Sequence, residues 1–336
     1  MKNALMIVSP NKYNVLNIGD YIQALAAQQY LGHIDVYIDR DYELSTYNGD
    51  PVNMIMNGWY MDHPENFPPS DKINPFYIAV HINKLALPEI LRDECIKHLK
   101  KYQPIGCRDY NTVQLLQAKG VDAYFSGCLT LTLGKTYKWN GERKGIYMVD
   151  PYFSTYNFSK RPSMILKALY TLLTNYFKIR IISKKKKDTS LRALLHNSIF
   201  FREYRKCFEE NILLEAEYIS QSNSEIAQLS IKERFDYAKE LIQKYSKAQL
   251  VITSKIHCGL PCLGLETPVI YTLNKQADSI STDRFGGLID LFNVIEWNKD
   301  SLTSSRKINI NNIPQNKDSW EIIAEKLYHT VKEHFK

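Results

Sequence analysis

The chain has 336 residues, 44% hydrophobic and 24% charged, with 43 Lys and Arg against 36 Asp and Glu. This composition excludes a disordered or fibrous chain, and the surplus of seven positive charges favours anionic ligands or an anionic membrane surface while being too weak to argue for nucleic acid. The N-terminal apolar run is too short for a signal peptide. Residues 165–182 are broken by Lys167, Asn175, Lys178 and Arg180, so a soluble, cytoplasmic protein is expected.

At about 100–200 residues per domain, two domains are expected. In chain order, Ala4 to Ser9 is an aperiodic apolar run that predicts a buried strand. Asp20 with Gln23 three positions on reads as a helix cap, followed by helical spacing to about Leu31 and a strand from Asp35 to Asp39. Val52 to Met56 and Tyr77 to Ile82 predict strands, and Pro88 to Tyr102 a helix. Pro104 to Cys107 predicts a strand, Asp109 to Lys119 a helix, and Ala123 to Ser126 a strand. Residues 134–145 are polar and Gly-bearing, which places a boundary near residue 140.

The alternation then restarts. Gly145 to Val149 predicts a strand, Ser163 to Phe177 a helix, Ile179 to Ser183 a strand, and Lys184 to Lys187 a basic loop. An irregular helix over Arg192 to Phe208 and an amphipathic one over Ile231 to Tyr245 follow. Leu250 to Thr253 predicts a strand, Lys255 to Leu265 a helix, Pro268 to Tyr271 a strand and Ser319 to His334 a last helix. Strands alternating with helices in both halves imply an α/β protein with two largely parallel sheets. In such sheets ligands gather outside the carboxyl ends of the strands, and with two domains the cleft lies between them.

Three strand ends carry chemistry. Thr253-Ser254-Lys255-Ile256-His257 offers free backbone N–H groups at a helix start, a cation, and an imidazole able to exchange a proton near neutral pH. The bland alternative is a Ser cap, a solvated Lys and a packed His. Asn17-Ile18-Gly19-Asp20 offers a close backbone approach at Gly19 and a carboxylate that a helix N-terminus would keep ionised; the alternative is an ordinary cap. Arg108-Asp109 offers a guanidinium fork for phosphate or carboxylate, or equally a structural Arg beside a capping Asp. Trp59 can stack on a sugar or pack in the rim. Cys258 and Cys262 share a helix face, but with no second pair they predict buried thiols and no metal, as do the other four cysteines, none of which forms C-x-x-C. P-loop, dinucleotide, α/β-hydrolase and zincin motifs are absent.

Together, Asn17–Asp20, Gly106–Asp109 and the run from Val251 to Ile270, with His257, Pro261 and Glu266 inside it, resemble the polysaccharide pyruvyl transferase family. The resemblance implies two Rossmann-like domains facing a cleft, similar to GT-B glycosyltransferases, with 1–140 on the acceptor side and 141–336 on the phosphoenolpyruvate side. It implies phosphoenolpyruvate as co-substrate, no other cofactor, and a glycan acceptor, lipid-linked, that receives a cyclic pyruvate ketal. On it, Lys255, Arg108, Ser254 and Thr253 would bind phosphoenolpyruvate; Asn17, Gly19 and Trp59 would bind the acceptor. His257 would give a proton or bind phosphate and Asp20 would act as base, two roles that can be exchanged. Lys255 stands where the family commonly has Arg, and Asn57 where it often has Gly. The alternatives are a GT-B glycosyltransferase, with Glu266 on a nucleotide ribose, and a non-catalytic sugar- or lipid-phosphate-binding protein. No nucleic-acid partner is expected, and Lys184–Lys187 would give peripheral contact with anionic lipid.

Overall fold

The computed structural model describes residues 1–60, 62–153, 162–275, 285–298, 301–304 and 306–335. The first half contains β1 (Lys2–Ile7), β2 (Leu16–Asn17), α1 (Gly19–Leu31), β3 (Val36–Asp39), β4 (Val52–Met56), β5 (Trp59–Tyr60), β6 (Ile73–Tyr77) and β7 (His81–Ile82). It continues with α2 (Leu87–Ile90), α3 (Asp93–Lys101), β8 (Ile105–Cys107), α4 (Tyr110–Gln117), β9 (Ala123–Phe125) and α5 (Gly134–Tyr137). The second half contains β10 (Ile146–Val149), α6 (Pro162–Lys185), α7 (Leu191–Cys207), α8 (Glu210–Glu215), β11 (Glu217–Ile219), β12 (Ser222–Asn223), α9 (Ser224–Ala227), α10 (Ile231–Lys247) and β13 (Leu250–Thr253). It ends with α11 (Ile256–Gly264), β14 (Val269–Asn274), β15 (Asn293–Asn298), β16 (Ser301–Thr303) and α12 (Ser319–His334).

The first sheet has the order β3-β1-β4-β6, all parallel, with β8 and β9 continuing beyond it through a bridge between Val80 and Cys107. The second has the order β11-β10-β13-β14-β15-β16, parallel except for β16. In each, the first strand is flanked by the second on one side and the third on the other. That is a topological switch point, where loops diverge and leave a crevice at the carboxyl ends.

The halves are joined by more than the covalent chain. β2 pairs antiparallel with β12, through Asn17 with Ser222 and Leu16 with Asn223. One core cluster takes Ile22 and Leu25 from α1, Leu241 and Tyr245 from α10, and Leu260 and Leu263 from α11. Residues Gly134 and Gly264 meet backbone to backbone: a Cβ on Gly134 would lie 1.9 Å from the Gly264 carbonyl oxygen. Helix α12 crosses back to the first half, where His334 stacks on Phe76 at 3.9 Å and Glu325 pairs with Lys135 at 2.7 Å.

Several predicted elements are corrected. Residues 179–183 are not a strand: α6 runs through them, bent at Asn175 (φ −134°, ψ 28°). Ile179 and Ile182 recur at helical spacing and face the core, and a short apolar run does not separate the two periods. The basic run is not a solvated loop. Lys184 and Lys185 finish α6, where the Lys185 ammonium donates to the carbonyls of Leu214, Glu215 and Ala216. Lys186 lies 3.6 Å over the Phe200 ring and donates to Asn197. Residues 191–207 form a regular helix, capped by Ser190. The helix predicted from Pro88 is two, α2 and α3, and the strand near Tyr77 begins earlier, at Ile73.

Candidate active site

The second-half crevice lies between the ends of β10 and β13. Thr253 Oγ1 donates to the Val149 carbonyl at 2.8 Å and accepts from the Lys255 N–H at 2.9 Å; Ser254 Oγ donates to the Asp150 carbonyl at 2.7 Å. These two hydroxyls tie the loop down. The side chain they leave presented is Lys255, the N-cap residue of α11, 3.8 Å from Asp150. Asp150 has a left-handed backbone (φ 40°) and also accepts from the Gln221 N–H at 2.9 Å.

His257 sits one residue into α11 with non-helical dihedrals (φ −85°, ψ 20°). Pro261, four residues on, has no N–H to give the His257 carbonyl. The buried Gln221 amide approaches that carbonyl at 3.4 Å while bonding the Tyr245 hydroxyl at 3.0 Å. The Gln221 carbonyl accepts from the Ile18 N–H at 2.8 Å, so one residue links α11 to the start of α1. Gly19 lies directly against the imidazole: a Cβ there would be 2.9 Å from His257 Cβ. Only a residue without a side chain allows that approach, which is what Gly19 suggested in the sequence.

The first half adds cations. Arg108, buried after β8, places Nη1 3.2 Å from His257 Nε2. Arginine only donates, so Nε2 is the acceptor in this contact and carries no proton. Its neighbour Asp109 caps α4 through the Thr112 N–H at 2.9 Å and holds His81 at 2.6 Å, both in the interior, so Asp109 is structural. Trp59 approaches His81 with ring centroids 6.3 Å apart, on the rim of this group. Asn57 is buried and donates to the Gln23 carbonyl at 2.9 Å. Asn17 turns inward: its Oδ1 accepts from the Gly19 N–H at 3.0 Å.

Asp20 differs from expectation on two counts. It is not the cap: α1 begins at Gly19, Ile18 occupies the cap position, and Gln23 donates to Asp20 Oδ1 at 3.0 Å from within the helix. Nor does the helix end keep it at an ordinary acidity. Burial pushes its pKa up to about 6; Arg40 and Arg108 pull it down, and Asp41 and Asp62 push it further up. A helix terminus is worth about 0.3–1 kcal/mol, and desolvation of a buried carboxylate can outweigh it several-fold.

The sequence reading missed Arg40, Asp150 and Gln221. Arg40 is buried after β3, paired with Asp41 at 2.7 Å and 3.9 Å from Asp62. Its signal was present: Asp39-Arg40-Asp41 ends a strand much as Arg108-Asp109 does. A cavity of about 400 Å³ opens over this pair, lined by Asp41, Asp62, Tyr42 and His63. A second, about 610 Å³, opens beside Asp150 and reaches Tyr218, Ser220 and Asn223. Glu266 lies past the far end of α11, bonded to Lys138 at 2.5 Å, away from the crevice. Cys258 and Cys262 are fully buried in the core beside Tyr245. Among the described residues, no three His, Cys, Asp or Glu side chains gather as a metal site.

These features define an α/β protein whose two parallel sheets bring cations, an imidazole and a carboxylate together at their carboxyl ends. The polysaccharide pyruvyl transferase family model matches residues 17–276, and the chain belongs to that family. The matched segment opens at Asn17 and takes in Arg108 and His257. No curated protein matches the chain.

Proposed function

We propose that the protein transfers the enolpyruvyl group of phosphoenolpyruvate onto a sugar of a surface-polysaccharide precursor, closing a cyclic pyruvate ketal. The observation that carries this reading is the approach of Arg108 to His257 at 3.2 Å across the two sheets, with Lys255 at the same helix start. A donor bearing a phosphate and a carboxylate needs two cationic positions, and the reaction needs an acid for carbon and a base for hydroxyls.

The chemistry has four movements. A proton adds to the methylene carbon of phosphoenolpyruvate, leaving C2 electron-poor. A sugar hydroxyl attacks C2 and loses its proton. The bond from C2 to the phosphate oxygen breaks, inorganic phosphate departs with the electron pair, and a second hydroxyl closes the ring and loses its proton to the departing phosphate. Arg108 and Lys255 hold the anions, and the loop that Thr253 and Ser254 tie down sets Lys255 in place. Of the two assignments for the proton carriers, the exchanged one has more support: Asp20, raised to about 6, is the carbon acid, and His257 takes the hydroxyl proton on Nε2 once Arg108, which donates to that lone pair here, turns to the donor phosphate. The acceptor enters past Asn17, Gly19 and Trp59 towards the cavity at Asp41, Asp62 and Tyr42, where carboxylates and an aromatic face suit sugar hydroxyls. With a lipid-linked acceptor, the protein works at the cytoplasmic face of a membrane; among the described residues no helix is long and apolar enough to cross one. The nucleotide-sugar alternative has lost its proposed ribose ligand, since Glu266 lies at the wrong end of α11.

The test is incubation with phosphoenolpyruvate and lipid-linked glycans. Release of inorganic phosphate, matched by acceptor gaining pyruvate less one water, is expected. Turnover of a nucleotide sugar with phosphoenolpyruvate left intact would overturn the reading.

A further inference from the structure

Helix α6 is apolar on two opposite faces. Met164, Ala168, Leu172, Ile179 and Ile182 are buried in the core of the second half. On the other side Leu166, Tyr170, Leu173, Tyr176, Phe177 and Ile181 are exposed, Leu166 by 71%, Leu173 by 82% and Phe177 by 78%. Leu166, Tyr170 and Leu173 share one face before the bend at Asn175, and Phe177 and Ile181 share one face after it, at the i, i+3 and i+4 spacings that bring side chains together, so an apolar ridge runs on either side of the bend. A helix with one side covered ordinarily turns a polar face to water. Here the outward face is also rich in large apolar side chains, with Arg180 and Lys184 among them, so water is not its natural surroundings.

The charges around the ridge indicate what covers it. From Pro162 to Lys187 there are seven Lys and Arg and no Asp or Glu. Lys178 pairs with Glu210, and Lys185 and Lys186 are spent as described above. The side chains of Lys167, Arg180, Lys184 and Lys187 have no acidic partner among the described residues, and the first three are exposed beside or at the end of the ridge. A second copy of the chain would set these cations against their like. An anionic lipid surface meets both demands: acyl chains for the leucines and Phe177, the headgroup level for Tyr170 and Tyr176, and phosphates for the cations.

We propose that this outward face of α6 docks the protein on an anionic membrane, lying in the interface plane. The apolar ridge and the basic rim act as two signals, each insufficient for lasting attachment. The Lys184–Lys187 run then contributes through Lys184 and Lys187 rather than as a block of four.

The inference is independent of pyruvyl transfer and is tested without substrate. Sedimentation with vesicles of phosphatidylcholine, with and without phosphatidylglycerol, should show binding only to the anionic vesicles and weakening as salt is raised. Leu173→Ser with Phe177→Ser should weaken binding about 100-fold, roughly tenfold for each side chain. Arg180→Gln with Lys184→Gln should weaken it about tenfold or more at low salt and little at high salt. All four positions are exposed, and matching thermal melts confirm that the variants fold. Failure of the parent protein to sediment with anionic vesicles overturns the inference, as does a Ser pair that binds as well as the parent. So does light scattering that shows a parent dimer which the Ser pair splits, because a second copy then covers the ridge. If no variant transfers pyruvate but the vesicle results hold, the proposed reaction fails and the docking face stands.

Discussion

Asp20→Asn should make the protein more stable and less active, and the size of the first effect can be worked out. Asp20 has a folded-state pKa of about 6 against an ordinary value of 3.8. The folded state therefore binds the proton more tightly than the unfolded chain does. Every tenfold gain in proton affinity corresponds to about 1.4 kcal/mol, so ionised Asp20 costs folding up to about 3 kcal/mol, less where water at the cleft edge relaxes around it. Because the folded pKa is the raised one, the cost is absent below about pH 4, grows as pH rises through 4 to 6, and is complete above 7. The Asn amide carries no charge to desolvate and can still accept from Gln23. Urea unfolding of both proteins at pH 8 and pH 4 should show Asn ahead by about 1–3 kcal/mol at pH 8 and level at pH 4. The same variant should lose pyruvyl transfer by about 10²-fold or more. If Asp20 is the acid, kcat/KM of the parent falls as pH rises through about 6, and the residual activity of the Asn variant lacks that limb. An Asn variant that is no more stable than the parent at pH 8, or a gap that does not change with pH, would refute the argument from burial. A limb of opposite sign would return Asp20 to the role of base.

Gly19→Ala ordinarily adds helix propensity of about 0.5–1 kcal/mol, but its Cβ would lie 2.9 Å from His257 Cβ; a net destabilisation of about 1–3 kcal/mol in urea unfolding, with a drop in kcat, is expected. Arg108→Ala and His257→Ala should each lower kcat/KM by about 10–100-fold or more, and the double variant should lose clearly less than the product of the two, as steady-state kinetics would show. Lys255→Arg should retain donor affinity measured by calorimetry, whereas Lys255→Ala should weaken phosphoenolpyruvate binding by about tenfold or more. Asp150→Asn should tighten donor binding if the 3.8 Å pair competes with the donor for the Lys255 ammonium, unless loss of its bond to Gln221 disturbs the loop, which a thermal melt separates.

Much of the fold was readable because each element is short and punctuated. Val52–Met56 is a short run, apolar but for Asn53, between Pro51 and Asn57, and Ser319–His334 keeps one periodic face throughout, so both have the predicted bounds. Where the reading failed, a local signal pointed the wrong way. Ile179-Arg180-Ile181-Ile182 has strong strand character, and it is the packing of α6 against α7, with Ile179 and Ile182 in one buried cluster with Ile199, Phe200 and Phe201, that holds it as helix. Pro75 argues against a strand over Ile73–Tyr77, yet β6 is the last strand of its four-stranded ladder and pairs with β4 alone over this stretch, so the missing N–H breaks no bond.

The candidate site divides along the same line. Groups placed by their own neighbours in sequence could be read: Arg108 and Lys255 follow strands, His257 lies in the first turn of a helix, and Gly19 starts one where another side chain comes close. Residues whose role depends on distant partners could not. Gln221 has no motif, because its value lies in reaching Ile18, Tyr245 and His257 from a loop after β11. The acidity of Asp20 could not be read from its helix position, since the opposing contributions come from Arg40, Asp41, Asp62 and Arg108 on three other loops. The contact that makes His257 Nε2 an acceptor comes from Arg108, 149 residues away in sequence. Sequence therefore names the groups, while the proton roles proposed for Asp20 and His257 rest on tertiary contacts that it does not display: the raised pKa of a half-buried Asp20, and the lone pair that His257 Nε2 turns to Arg108.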